Sequence, residues 1–143
     1  MSFEFKKLRE TLFIPLKNSS KITLELECIT KTKIIDSFNN LIIYLTFNEK
    51  EKEKVLKMEE EITKYFDGEF KHSILKKTNT GIYKLLKIKD KICTVIKNKN
   101  EKEVLYSSVK PKKKYKIILS LDYVWNKNNR YGFTWTLKEM KLI

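Results

Sequence analysis

Apolar and polar positions change their period along this chain, and the changes mark its elements. Ile22, Leu24, Leu26 and Cys28 alternate with Thr23, Glu25 and Glu27, the pattern of a strand with one wet face. Residues 41–47, LIIYLTF, predict a second, more fully apolar strand. Asn48 then suits a helix N-cap, with Glu51 as its capping-box partner. The helix is expected to reach Phe66. Val55, Met58 or Glu59, Ile62, Tyr65 and Phe66 form its apolar stripe, and Asp67-Gly68 stops it. Its other face is charged, close to balanced and solvated. After the helix the period returns toward two. Residues 71–77 suggest a short strand and residues 78–81 a turn. Residues 82–89 and 92–97 suggest two strands meeting at a tight Asp90-Lys91 turn. Residues 98–103 are a polar loop, and residues 104–109 fit either a strand or a helical turn. Residues 3–14 show no clear period and end at Pro15.

The longest alternating pattern closes the chain. Residues 115–143 read as two strands around a polar turn, Asn126-Lys127-Asn128-Asn129-Arg130. With those five residues as the turn, the cross-strand pairs are Trp125–Tyr131, Tyr123–Phe133, Leu121–Trp135 and Leu119–Leu137, all on one face. That face is aliphatic toward the chain ends and aromatic toward the turn. Two readings of the aromatic end stand side by side. The rings are core, as aromatics often are, or the hairpin projects and its distal rings, Trp125 and Tyr131 first, lie open for base stacking. Trp135, deeper in the strand, is expected in the core. The element order (two or three strands, one helix, several strands) predicts a mainly β fold with one helix. It is a small β-barrel or curved antiparallel sheet, OB-fold-like, formed by residues 1–143 as a single domain.

Charge sharpens this picture. The net charge is +13, yet residues 1–70 carry 12 basic and 13 acidic side chains while residues 71–143 carry 19 and 5. AT-rich coding accounts for some of the lysine, since the chain has no alanine or glutamine and its only arginines are Arg9 and Arg130. It does not account for the asymmetry, which is the electrostatic footprint of a polyanion partner. Lys112, Lys113, Lys114 and Lys116 surround Tyr115, and Lys127 and Arg130 sit in the turn. Lys84, Lys87, Lys89, Lys91, Lys97 and Lys99 extend the charge over the preceding strands. A solvated charge run is the competing reading. Pro111-Lys112-Lys113-Lys114 also has the form of a monopartite nuclear localisation signal.

Catalytic chemistry has little to work with. His72 is the single histidine, and Gly68, Gly81 and Gly132 make no phosphate loop. Cys28 and Cys93 neither suit zinc spacing nor build a disulfide framework, and both read as core residues of a reducing compartment. Glu25 and Glu27 fit an exposed strand face better than an acid pair, and the predicted register puts Asp122 and Glu139 on opposite faces. No enzyme activity, metal or cofactor is expected. No apolar run is long enough for a membrane span and the start lacks the apolar stretch of a signal peptide, so no membrane partner is expected.

The segment from Tyr115 to Ile143 resembles the C-terminal hairpin of small OB-type single-stranded DNA-binding proteins from DNA viruses and virus-like plasmids. The resemblance rests on a strand ending in Val124-Trp125, a basic turn, and Tyr131-Gly132-Phe133-Thr134-Trp135. It covers about 30 residues. The AT-rich composition points within this group to the cytoplasmic linear killer plasmids of yeasts, whose single-strand-binding protein is similar in size. The resemblance implies a cytoplasmic protein that coats displaced strands during protein-primed replication, with the lysine run contacting DNA.

The residues and the resemblance lead to one expectation, a non-enzymatic single-stranded DNA-binding protein of low sequence specificity. Lys112, Lys113, Lys114, Lys116, Lys127 and Arg130 would meet phosphates, while Tyr123, Trp125, Tyr131 and Phe133 stack bases. The alternative is a protein-interaction subunit of a replication or transcription complex, docking through the helix or the aromatic tip. A third reading, ranked below these, is a duplex or RNA binder, separable by a competition assay. Pairing at the hairpin edge permits a homo-oligomer without requiring one.

Overall fold

A computed structural model describes residues 5–15, 22–35, 41–72, 82–86, 94–105 and 108–143. The elements are β1 (Phe5–Arg9), β2 (Leu12–Pro15), β3 (Thr23–Ile35), β4 (Leu41–Thr46), α1 (Glu49–Thr63), β5 (Glu69–His72), β6 (Ile82–Leu86), β7 (Val95–Lys97), β8 (Glu103–Val104), β9 (Lys114–Lys127) and β10 (Arg130–Leu142). The fold is mainly β with one helix, as the sequence predicts, and its strands form one curved sheet.

The antiparallel β9–β10 hairpin is the axis of that sheet. Its base lies between β3 on one side and β7 on the other, in the order β6-β4-β3-β9-β10-β7-β8. Its tip lies between different neighbours. The β1–β2 hairpin joins β9 through Leu12↔Trp125 and Phe13↔Val124, and β5 runs parallel to β10 from Arg130↔Glu69 to Gly132↔His72. The described part of the ambiguous stretch at residues 3–14, from Phe5 onward, is therefore a hairpin whose partner lies more than a hundred positions away. Among the described residues of the expected 82–89 and 92–97 hairpin, 82–86 pair with β4 and 95–97 pair parallel with β10 instead of with each other. The Asp90-Lys91 turn, residues 73–81 and Cys93 lie outside the described residues.

Alternation accounts for the core. Ile22, Leu24, Leu26 and Cys28 are buried, as are Ile43 and Leu45 of β4, Ile117, Leu119 and Leu121 of β9, and Leu137 and Met140 of β10. Each such aliphatic side chain contributes roughly 1.5–3 kcal/mol by leaving water. Helix α1 closes one side of the sheet. Asn48 caps it by accepting from the Glu51 backbone N–H at 2.9 Å. The reciprocal half of the capping box is absent, because the Glu51 carboxylate is buried and accepts instead from the Glu27 N–H at 3.2 Å. The α-helix ends at Thr63, three residues before the expected Phe66, and its last turn continues through shorter bonds from Tyr65 and Phe66 to Ile62 and Thr63. Between Met58 and Glu59, the buried position of the stripe is Glu59. Its carboxylate accepts the Nε1–H of buried Trp135 at 3.2 Å, which ties the helix to β10.

The hairpin register departs from expectation in an instructive way. Asn128 and Asn129 both have left-handed φ angles, 53° and 61°. Two successive left-handed residues make the tight two-residue turn that suits strand twist, and asparagine tolerates that conformation. Asn126, Lys127 and Arg130 therefore join the ladder instead of the turn, with Arg130↔Lys127 as the closing pair. Trp125 faces Gly132, and Phe133 faces Val124, in place of the expected Trp125–Tyr131 and Tyr123–Phe133 pairs. A bulge between Thr134 and Trp135 then absorbs one residue on β9. Leu121–Trp135 and Leu119–Leu137 pair as expected.

Candidate nucleic-acid interface

The one-residue slip at the tip sends the aromatic residues of β9 and β10 to opposite faces, since neighbouring strand residues point in opposite directions. Tyr131 and Phe133 share the inner face with Val124. There Phe133 stacks on Phe70 with centroids 4.7 Å apart, and Tyr131 stacks on Phe70 at 5.1 Å and meets Phe66 at 5.2 Å. Phe13 of β2 and Phe5 of β1 pack edge-on against Phe66 at 5.1 and 4.9 Å. This aromatic cluster extends the core beneath the tip and fixes the β1–β2 hairpin, the end of α1 and β5 to it. Gly68 sits directly under Tyr131, where a Cβ would overlap the ring.

Tyr123, Trp125, Lys127 and Arg130 fall on the outer face, together with Gly132 and Thr134. The benzo half of the Trp125 indole lies across Gly132 and occupies the space where any other residue would place its Cβ. Gly132 is thus a seat for the ring. Trp125 and Tyr123 are half-buried, while Lys127 and Arg130 are exposed. No ion pair engages Lys127 or Arg130 among the described residues, although Glu69 is the register partner of Arg130 on β5. Two half-buried rings beside two exposed cations combine the groups that base stacking and phosphate contact require.

The lysine run lies at the other end of β9, roughly 40 Å away along a strand of this length at about 3.3 Å per residue. It is held rigidly. The Thr30 hydroxyl donates to the Lys110 carbonyl at 2.6 Å and accepts from the Lys113 N–H at 3.1 Å, and the Lys112 N–H donates to the Thr30 carbonyl at 2.6 Å. Lys114 pairs with Glu27 at 3.3 Å and Lys116 with Glu25 at 2.6 Å. The same outer face carries Lys97–Glu139 at 2.5 Å, Lys138–Asp122 at 3.7 Å and the Lys141–Glu101 pair. The hydrogen bonds that Lys116 and Lys97 donate to Glu25 and Glu139 raise their pKa values, and the bond Glu101 accepts from Lys141 lowers that of Glu101. Alternating with one another, these pairs make the base of the hairpin a lattice of opposite charges. Lys112 and Lys113 stay exposed outside this lattice, with no ion pair among the described residues.

The tip and the base therefore separate the residues that the sequence grouped. Tyr123, Trp125, Lys127 and Arg130 come together. Tyr131 and Phe133 lie beneath them on the core side, and Lys112, Lys113, Lys114 and Lys116 lie at the far end. Three neighbours of Trp125 escaped the sequence reading. Leu12 and Gly132 flank it in register, and Arg9 pairs with Leu12. The rarity of arginine in the chain was the available signal for Arg9. Cys28 has no part in such a surface. Burial, and then the charge of Glu51, pushes its thiol up to about 12, which leaves it neutral. Among the described residues no group of three His, Cys, Asp or Glu side chains could hold a metal ion, and no helix is long and apolar enough to cross a membrane.

The fold is of the OB-like type found in single-stranded DNA-binding proteins. Two solved structures share it, the single-stranded DNA-binding protein from bacteriophage Enc34 and a C-terminal truncation of that protein. They superpose with TM-scores of 0.54 and 0.53, covering 99% of this chain and 89% and 94% of theirs, at 7% sequence identity in both cases. At that identity the likeness is one of fold. No protein-family model matches the chain. No curated protein sequence matches it either.

Proposed function

We propose that this chain binds single-stranded DNA with low sequence specificity, through the outer face of the β9–β10 tip. The observation that carries the reading is the convergence of half-buried Tyr123 and Trp125 with exposed Lys127 and Arg130 on one outer face, with Trp125 seated on Gly132. The fold shared with phage single-stranded DNA-binding proteins supports it. The rings stack on bases, at roughly 1–3 kcal/mol per base, and Lys127 and Arg130 meet phosphates. Neither contact reads a base edge, so specificity is low. In a duplex the base faces are already stacked, so the rings favour a single strand. The positive second half of the chain, with exposed Lys112 and Lys113, attracts the strand at longer range. This chemistry suits a cytoplasmic coat for displaced strands during replication of a virus-like element, alone or beside replication proteins.

Filter binding of oligo-dT against duplex DNA at two salt concentrations tests the reading. Preference for oligo-dT is expected, with affinity falling by about 0.7 log units per tenfold salt for each phosphate neutralised. Equal affinity for the duplex, or no binding to either, overturns it.

A further inference from the structure

Arginine occurs twice in this chain, at positions 9 and 130, among 31 basic residues. The fold brings both to the same small surface. Arg9 closes the β1–β2 turn opposite Leu12, Leu12 is the register partner of Trp125, and Trp125 is the partner of Gly132. Directly opposed residues share a face, so Arg9, Leu12, Trp125 and Gly132 form one row across four strands on the outer side. At about 4.8 Å between strands, Arg9 stands roughly 10 Å from Trp125 on the β1 side. Arg130 stands on the other side, one strand across and two positions toward the tip. The attachment is firm, because the Asn126 N–H donates to the Thr11 carbonyl at 2.8 Å and Phe13 is packed in the aromatic cluster below. Arg9 is exposed, and no ion pair engages it among the described residues, since the neighbouring Glu10 pairs with Lys7 at 3.4 Å.

Guanidinium groups suit phosphate better than ammonium groups do, because their planar fork makes two parallel hydrogen bonds. The alternative route down β9 meets Glu25, Glu27, Glu139 and Asp122, each already paired with a lysine. A phosphate backbone laid there must break those pairs and approach the carboxylates. We infer that Arg9 is a second phosphate-binding residue of this site, and that the bound strand crosses β2, β9 and β10 over Trp125, from Arg9 to Arg130, instead of following β9 to the lysine run. The inference rests on the proposed single-strand binding.

Titration of the full chain with oligo-dT over a range of salt tests it, on the wild type and on Arg9→Ala, Arg9→Lys, Trp125→Ala and the Lys114→Ala/Lys116→Ala pair. Arg9→Ala is expected to lower the salt slope by about 0.7, which is about fivefold weaker binding at 0.1 M than at 1 M relative to wild type. Its melting temperature should stay unchanged. Arg9→Lys is expected to restore the slope, which a purely structural role for Arg9 would not allow. The lysine pair is expected to leave the slope at the wild-type value. A wild-type slope in Arg9→Ala, with binding lost in Trp125→Ala, overturns the role of Arg9 while single-strand binding stands. A larger fall in slope for the lysine pair than for Arg9→Ala overturns the path. Absence of oligo-dT binding by the wild type overturns both the path and the function beneath it.

Discussion

On the inner face of the β9–β10 tip, Tyr131 and Phe133 pack with Phe13, Phe66 and Phe70; on the outer face, a few ångströms away, Tyr123 and Trp125 lie beside Arg9, Lys127 and Arg130. The two sets have the same residue types and come from the same two strands. What separates them is a two-residue turn and one bulge. The inner set binds the N-terminal hairpin, the helix end and β5 into a platform. The outer set lies on that platform. A flexible hairpin would lose affinity to the cost of ordering it, so rings locked beneath the tip make rings above it more effective.

This division is open to direct attack. Phe133→Ala carries the largest expected effect. It removes a ring from the stack with Phe70 and should cost about 3 kcal/mol, lowering the melting temperature by roughly 10 °C in a thermal unfolding scan. A binding defect with unchanged stability would mean that the faces are assigned the wrong way round. Trp125→Ala should do the reverse, weakening oligo-dT binding about tenfold or more in a fluorescence titration while melting within a few degrees of wild type. Gly132→Ala probes the seat itself. Its Cβ displaces the Trp125 ring, so binding should fall toward the level of Trp125→Ala, with a shifted tryptophan emission and an unchanged far-ultraviolet spectrum. Retained affinity would show that the ring stacks equally well off its seat. The smallest effect is expected at the base of the hairpin, where Lys114→Ala with Lys116→Ala removes two exposed, solvent-screened pairs and should leave the melting temperature unchanged.

Particular residues show how far the sequence could be read. The alternation at Ile22, Leu24, Leu26 and Cys28 correctly gave a strand and its buried face, because burial of one face imposes a period of two whatever the partner is. Asn48 marked the helix start for an equally local reason. Leu119–Leu137 and Leu121–Trp135 pair as expected, yet Trp125–Tyr131 does not. At the tip each strand is aromatic on one alternation only, and matching those two apolar alternations put all the rings on one face; the two-residue turn and the bulge, which the apolar pattern does not encode, set the register one residue away. Residues 82–89 and 92–97 looked like a hairpin because they are neighbours in sequence. The pairing of their described parts, 82–86 with β4 and 95–97 with β10, was decided by contacts that no local pattern encodes.

The sequence by itself determined a mainly β chain with one capped helix, an aliphatic core face along each long strand, and positive charge gathered in its second half. These are properties of local period and composition. Tertiary structure alone decided that Trp125 and Tyr131 point to opposite faces, that Lys114 and Lys116 meet Glu27 and Glu25, and that Arg9 joins Arg130 around Trp125. Register depends on turn geometry and on a bulge, and a slip of one residue exchanges the faces of a strand. Strand neighbours are chosen by the packing of the whole sheet, which places side chains together across more than a hundred residues of chain.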